Sequence, residues 1–384
     1  LDDWVFRRLL TFYPEEELLS RPVLAKSLTD GEITKADLQK EASVHFIPWQ
    51  MFLLSKDKLK AQLRNIERVR LDKIQVAELS SRAGGAGPTP YRLIDRYIRT
   101  QTFLTSTERY DPNRFSGSLK GLSVERSIGR IEAHFAINRA ELWEASSKEK
   151  ALEYLIERLG DGQVNVALGT SEARLVPSSK NLRSLYRNVS GFCLKDARVP
   201  FLFVNMNMAD EEEPVGRRLY TLTLLLVLVG LGVFSVTRDW RPGRTPHRAK
   251  DTYLPHAHKI VSEFFLPSPV IAAHRGQQVT SETVQEVATR YKLTPTAVIY
   301  RFWREKIITA AERELLTQPP VAIKRRARSP RIDNAVRKLN GRLVTTAAQK
   351  AYASGAITAN QAQYVLFGRI SRKTWRKYKA QLGL

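Results

Sequence analysis

The side chains able to do chemistry in this chain are few, and most of them are poorly grouped. Six histidines and one cysteine, Cys193, are spread over 384 residues. His256 and His258 stand two apart, which turns them to different sides of a helix and keeps them from sharing one metal ion. His247 and His274 fall in expected loops. A lone cysteine supports neither a disulfide framework nor a cysteine-rich zinc site, and it suits a reducing, cytoplasmic setting. The plentiful chemistry is cationic. Lys and Arg number 62 against 39 Asp and Glu, a formal charge of +23, which favours nucleic acid or another polyanion as partner. The excess is concentrated: residues 321–384 hold 15 Lys and Arg and a single acid, Asp333. Between Arg218 and Arg238, by contrast, 19 residues carry no charge at all.

The elements that would position these groups are mainly helical. Residues 1–85 read as helices, with Phe6, Leu9 and Leu10 and then Leu53, Leu59 and Leu63 at helical spacing. Thr34 is an expected N-cap, and Pro48 marks another helix start. The glycine-rich stretch 83–88 is the clearest linker, and a second helical module covers 86–147, where Ser123 opens a helix that packs Ile128 and Ile131. From about Ser147 the texture becomes mixed. An amphipathic helix (148–159) precedes short strands at 164–168, 189–194 and 199–204, Pro200 limiting the last to a strand start or an edge. An acidic stretch at 210–213, the uncharged run and a basic loop at 238–250 follow. Helices are then expected at 256–266, 281–291 and 295–305, the last capped by Thr294 with Pro295 in its first turn. A basic linker around 319–330 leads to the basic module 321–384. The start Leu1-Asp2-Asp3-Trp4 has no signal-peptide pattern and reads as that of a fragment or a processed form.

The uncharged run, residues 219–237, is long enough for a membrane span, which takes about 20 apolar residues. Arginines flank it on both sides, so charge gives it no orientation. It lies inside a mixed α/β stretch whose elements continue on both sides, and a span there would split one core in two. A buried central helix is therefore the expectation, with no membrane partner.

The residues around that run resemble a known family. Gly191-Phe192, Pro200-Phe201-Leu202-Phe203-Val204-Asn205 and Arg217-Arg218-Leu219-Tyr220-Thr221-Leu222-Thr223 resemble the approach to the active site of the ImmA/IrrE regulatory zinc metallopeptidases. Glu263-Phe264-Phe265-Leu266-Pro267, Val287–Thr294 and Val298–Phe302 resemble later segments of that family, so the likeness covers roughly residues 148–316 in order. It implies a His-Glu-x-x-His helix, in which two histidines on one face hold Zn²⁺, the glutamate acts as general base and a carboxylate from the next helix completes the site. Laid on this chain, the metal positions fall on Leu224, Leu228 and Leu254 and the general-base position on Leu225. Leucine offers no lone pair to zinc and moves no proton. The resemblance therefore implies a metalloendopeptidase homologue whose unsubstituted form uses zinc and cleaves a Cro/CI-type repressor of a mobile element or stress regulon. The chain as it stands is expected to bind no zinc, need no cofactor and cut nothing. Tyr220 and Asn205 either line the former cleft or pack.

The implied fold class is α+β: a mainly helical chain with a small-sheet, zincin-like domain at 148–320 flanked by helical modules. Residues 20–70, including Asp30–Leu38 and Ile47–Leu54, resemble the back half of a Cro/CI-type helix-turn-helix, with a plain helical bundle as the alternative. At the other end, a turn at 355–358, a helix over 359–366, a turn at 367–370 and a helix over 371–382 have helix-turn-helix spacing. Arg372, Lys373, Arg376, Lys377 and Lys379 on the last helix are the candidate DNA contacts, and Trp375 and Tyr378 are expected to pack beneath it. A DNA-binding regulator using this segment is thus a second reading of function.

Overall fold

A computed structural model describes residues 2–10, 22–44, 49–74, 89–169, 190–205, 207–208, 211–212, 215–237, 253–317, 332–367, 372–382 and 384. They separate into two units, one drawn from 1–109 and 332–384, the other from 110–168 and 190–331. The architecture is mainly helical with a small sheet, an α+β arrangement. The expected linkers at 83–88 and 319–330, the basic loop 238–250 and the helix start at Pro48 lie outside the described residues.

The first unit opens with α1 (Asp3–Leu10), α2 (Pro22–Asp30), α3 (Lys35–Val44), a 3-10 turn (Trp49–Leu53) and α4 (Lys56–Lys73). Thr34 caps α3 by accepting the Asp37 amide at 3.1 Å, as a residue of its type before a helix should. Val5, Phe6, Leu9, Leu24, Leu38, Phe52 and Leu59 form the buried centre of this bundle. Next comes α5 (Thr89–Thr107), joined to α4 by a two-pronged Arg70–Asp95 pair at 2.7 and 2.9 Å.

The second unit starts with α6 (Val124–Phe135), α7 (Arg139–Glu144) and α8 (Lys148–Asp161). Each begins where a short polar side chain accepts an amide: Ser123 from Arg126, Asn138 from Ala140 and Ser147 from Lys150. The helix α8 buries Ala151, Leu152, Leu155 and Leu159, one stripe of a helical wheel. Strands β1 (Asn165–Gly169), β2 (Gly191–Leu194) and β3 (Phe201–Asn205) follow, with a small β4–β5 pair (Asn207–Met208, Glu211–Glu212). Then come α9 (Val215–Gly230) and β6 (Val236–Thr237). The main sheet has the order β1-β3-β2-β6, with β2 antiparallel to both neighbours. Alternate strand positions face opposite sides. Gly191, Cys193, Leu202 and Val204 share the side that meets α9, while Phe192 and Phe203 stack at 4.9 Å on the other. Both sides are buried, which explains why these strands read as unbroken apolar runs. The unit is completed by α10 (Leu254–Phe265), α11 (Ser268–Ala272), α12 (Ser281–Arg290), α13 (Pro295–Arg304) and α14 (Ala310–Leu316). Thr294 caps α13 with Pro295 in the first turn, where the missing N–H costs nothing.

The chain then returns to the first unit with α15 (Ile332–Asn340), α16 (Arg342–Ala353), α17 (Ala359–Phe367) and α18 (Arg372–Gln381). Here α5 is a partner: the Tyr97 hydroxyl donates to the Leu339 carbonyl at 2.7 Å, and Arg96 donates to Asn340 at 3.3 Å. Residues 86–147 therefore do not act as one module, since α5 packs with the C-terminal helices whereas α6 and α7 belong to the mixed unit.

The uncharged run 219–237 is not a single helix. Its helical part begins earlier, at Val215, and ends at Gly230. Gly232 takes the left-handed backbone (φ +71°) that glycine adopts without strain, the Val233 amide bonds the Leu228 carbonyl at 2.8 Å, and the Gly232 amide bonds that of Val229 at 2.9 Å. That Schellman turn stops the helix and sends Val236–Thr237 into the sheet beside β2. Among the described residues no helix is long and apolar enough to cross a membrane.

Candidate functional site

The helix α9 is the centre of its unit, packed against β2, β3, α8 and α10. Every residue from Leu222 to Gly230 is buried. Three glycines allow its close docking. A Cβ on Gly216 would stand 2.7 Å from the Leu293 backbone, one on Gly230 2.5 Å from Leu119, and one on Gly191 2.9 Å from Leu225 and 2.4 Å from the Phe203 carbonyl oxygen. The last carbonyls of the helix are satisfied, those of Val229 and Gly230 accepting the Gly117 and Leu119 amides at 3.0 and 2.8 Å. The Thr223 hydroxyl, buried within the helix, donates to the Leu219 carbonyl at 3.0 Å.

Of the four leucines singled out in the sequence, Leu225 and Leu228 are wholly buried and Leu224 is 7% exposed. Leu225 lies against Gly191 of β2. Leu254 is the first residue of α10 and is half-buried against the same core. The residues present do not fit a zinc ion, because all four positions carry hydrocarbon. Among the described residues no group of three or more His, Cys, Asp and Glu could hold one either.

A polar contact adjoins these leucines. Tyr220, one helical turn before Leu224, meets His258, one turn after Leu254 on α10. The Tyr220 hydroxyl and His258 Nδ1 are 2.8 Å apart, and the rings stack at 5.9 Å. Burial pushes the His258 pKa down to about 4, helped by the Arg304 charge. Burial also raises Tyr220, against smaller opposing effects of the Ser262 hydroxyl and the Arg304 and Arg301 charges. At neutral pH the phenol thus keeps its proton, the imidazole is neutral, and the consistent assignment has the phenol donating to Nδ1 with the ring proton on Nε2. A phenol and a neutral imidazole so placed can orient a bound group by one donated and one accepted hydrogen bond. The far end of α10 is held by Glu263, which accepts from buried Arg301 at 2.6 Å and from the amide and hydroxyl of Ser268 at 2.7 and 2.8 Å. Asn205, the other residue weighed for the cleft, is buried at the end of β3.

Sequence reasoning missed the Tyr220–His258 pair, having weighed His258 only with His256 as a metal ligand. The recurrence of Leu254 and His258 four apart, like that of Tyr220 and Leu224, was the available signal that these positions share helix faces.

The second candidate region is α18. Trp375 is buried, its ring 6.1 Å from Phe367 and 6.4 Å from Tyr352, and Tyr378 stacks on Phe367 at 5.4 Å. Both aromatics thus pack beneath the helix, as expected. Lys379 turns the same way, donating to the Tyr352 hydroxyl at 2.7 Å, with its ammonium 4.9 Å from that ring's centre. Arg376 and Lys377 face solvent. Arg372 and Lys373 stand in the first turn of α18, and their side chains lie outside the described residues. Comparison of the chain with protein-family models, with curated proteins and with solved structures gives no match in any of the three.

Proposed function

We propose that residues 148–320 form a catalytically silent, zincin-like relative of the ImmA/IrrE metallopeptidases, a body that engages a Cro/CI-type repressor without cutting it. The observation that carries this reading is the position of Leu224, Leu225 and Leu228 on one buried helix, laid over a short sheet and flanked by the helix that begins at Leu254. A His-Glu-x-x-His site needs such a scaffold: one helix for two ligands and the base, a second helix for the third ligand, and a strand beside them. The zinc of an unsubstituted relative supplies a bound water of lowered pKa. Here the same positions supply packing. Leu225 and Leu228 exclude water from the point where a base and a ligand would stand, and burying each contributes about 1.5–3 kcal/mol to the core. The order of the segments 191–192, 200–205, 217–223 and 263–267 along the chain, now strand, strand, helix and helix end, also supports the reading.

The test is metal analysis of the purified chain together with incubation against Cro/CI-type repressors. The reading expects no stoichiometric zinc, no cleavage product and retained binding to a repressor. One tightly held zinc per chain, or metal-dependent cleavage, contradicts it.

A further inference from the structure

The basic end of the chain carries an inference independent of the silent centre. Residues 321–384 hold 15 Lys and Arg and one acid, and from Ala359 to Leu384 there is no Asp or Glu at all. Within α18 the burial sorts these charges. The apolar face is already occupied: Trp375 and Tyr378 sit against Phe367, Leu382 is buried, and its carbonyl accepts from Gln349 at 2.7 Å. The Arg376 and Lys377 face is turned outward, with Ala380 exposed beside it, a small residue that leaves room for a close approach.

That sorting narrows the partner by chemistry. A membrane surface needs an apolar helix face to insert, and the only one α18 has is spent on its own unit. Single-stranded nucleic acid needs successive exposed rings on which bases stack; within α18 Trp375 and Tyr378 are turned inward, and on α17 the exposed Tyr364 accepts from Arg99 at 3.4 Å. Double-stranded RNA has a major groove too deep and narrow for a helix. Duplex DNA has a major groove that admits one helix, lined by phosphates at its rims. The preceding α17 ends at Phe367 and α18 starts at Arg372, the short spacing of a helix-turn-helix pair. The shared contacts of Phe367 with Trp375 and Tyr378 fix the second helix to the end of the first.

We propose that α18 docks on duplex DNA through Arg376 and Lys377, neutralising phosphates and contributing binding that does not depend on sequence. The experiment titrates the full chain against a fluorescent duplex of about 30 base pairs between about 50 and 200 mM salt. Affinity is expected to fall linearly on logarithmic axes. The double variant Arg376→Glu/Lys377→Glu is expected to bind about tenfold more weakly or worse, and to lower the steepness of the salt dependence by about 2. Arg376→Gln/Lys377→Gln is a milder companion, and near-ultraviolet circular dichroism together with a melting temperature like the parent's reports that either variant is folded. Arg126→Glu/Arg130→Glu, an equal charge change at exposed positions of α6, is expected to cost much less. Equal losses in the two charge-reversed variants, a flat salt response, or capture by phosphatidylserine vesicles that duplex DNA does not compete away would each overturn the proposal.

Discussion

The helix Val215–Gly230 is buried from Leu222 onward and carries no charge after Arg218, whereas the helix Arg372–Gln381 keeps Arg376 and Lys377 in solvent, buries Trp375 and half-buries Tyr378. In the first helix the identity of each residue is set by what it touches. Leucine at 225 is accounted for by Gly191 across the interface, and a polar side chain there would need a partner that the surrounding hydrocarbon does not offer. In the second, packing fixes Trp375 and Tyr378 and holds Lys379 on Tyr352, and it leaves Arg376 and Lys377 undetermined, so nothing within the helix accounts for their charge. One helix therefore informs on stability, the other on the surface the chain offers to solvent.

Truncation should separate the two regions most sharply. Leu225→Ala and Leu228→Ala are each expected to lower unfolding stability in urea by about 2–5 kcal/mol, since both side chains are wholly buried and leave cavities. Arg376→Ala and Lys377→Ala are expected to stay within about 0.5 kcal/mol of the parent in the same assay. Similar losses in both helices would erase the contrast. A smaller effect is expected of Gly191→Ala, at about 1–3 kcal/mol, because the new methyl meets the Phe203 carbonyl at 2.4 Å and the Leu225 side chain. Leu225→Ala in the same chain should not relieve the Gly191→Ala penalty, since the backbone oxygen stays; full relief would mean that the Phe203 carbonyl does not stand against Gly191 as described.

A further effect concerns pH. His258 is depressed from 6.5 to about 4 in the fold. The unfolded chain therefore binds the proton more readily in that window, and the stability gained by keeping the ring neutral is complete above about pH 6.5 and lost as pH falls toward 4. Melting temperature should decline across that interval, and His258→Gln should flatten the decline. An unchanged slope would show that other groups, not the His258 ring beside Tyr220 and under the Arg304 charge, govern it.

Much of the local structure was legible in the residues. Ser123, Ser147 and Thr294 with Pro295 mark helix starts because their side chains cap, and the strands at 165–169 and 201–205 announce themselves as short apolar runs after turn residues. Long-range pairing was not. Tyr97 and Leu339 are 242 residues apart, and no periodicity indicates that α5 belongs with the C-terminal helices. Tyr220 and His258, or Glu263 and Arg301, meet only because three helices cross; the four-residue spacings place Tyr220 and His258 on helix faces but do not say that those faces meet. The end of α9 was misjudged because composition continues through Leu231–Val233 while backbone geometry does not: the left-handed Gly232 decides it.

The silent-centre reading is tested most directly by putting the chemistry back. A chain carrying Leu224→His, Leu225→Glu, Leu228→His and Leu254→Glu buries unpaired polar groups and is expected to be much less stable than the parent without metal. If these positions converge on one ion, added zinc should raise its melting temperature strongly, by the equivalent of about 4 kcal/mol at a thousandfold excess over the dissociation constant, while leaving the parent unmoved. A variant that folds without metal yet gains nothing from zinc, or a parent that gains as much, would contradict the account.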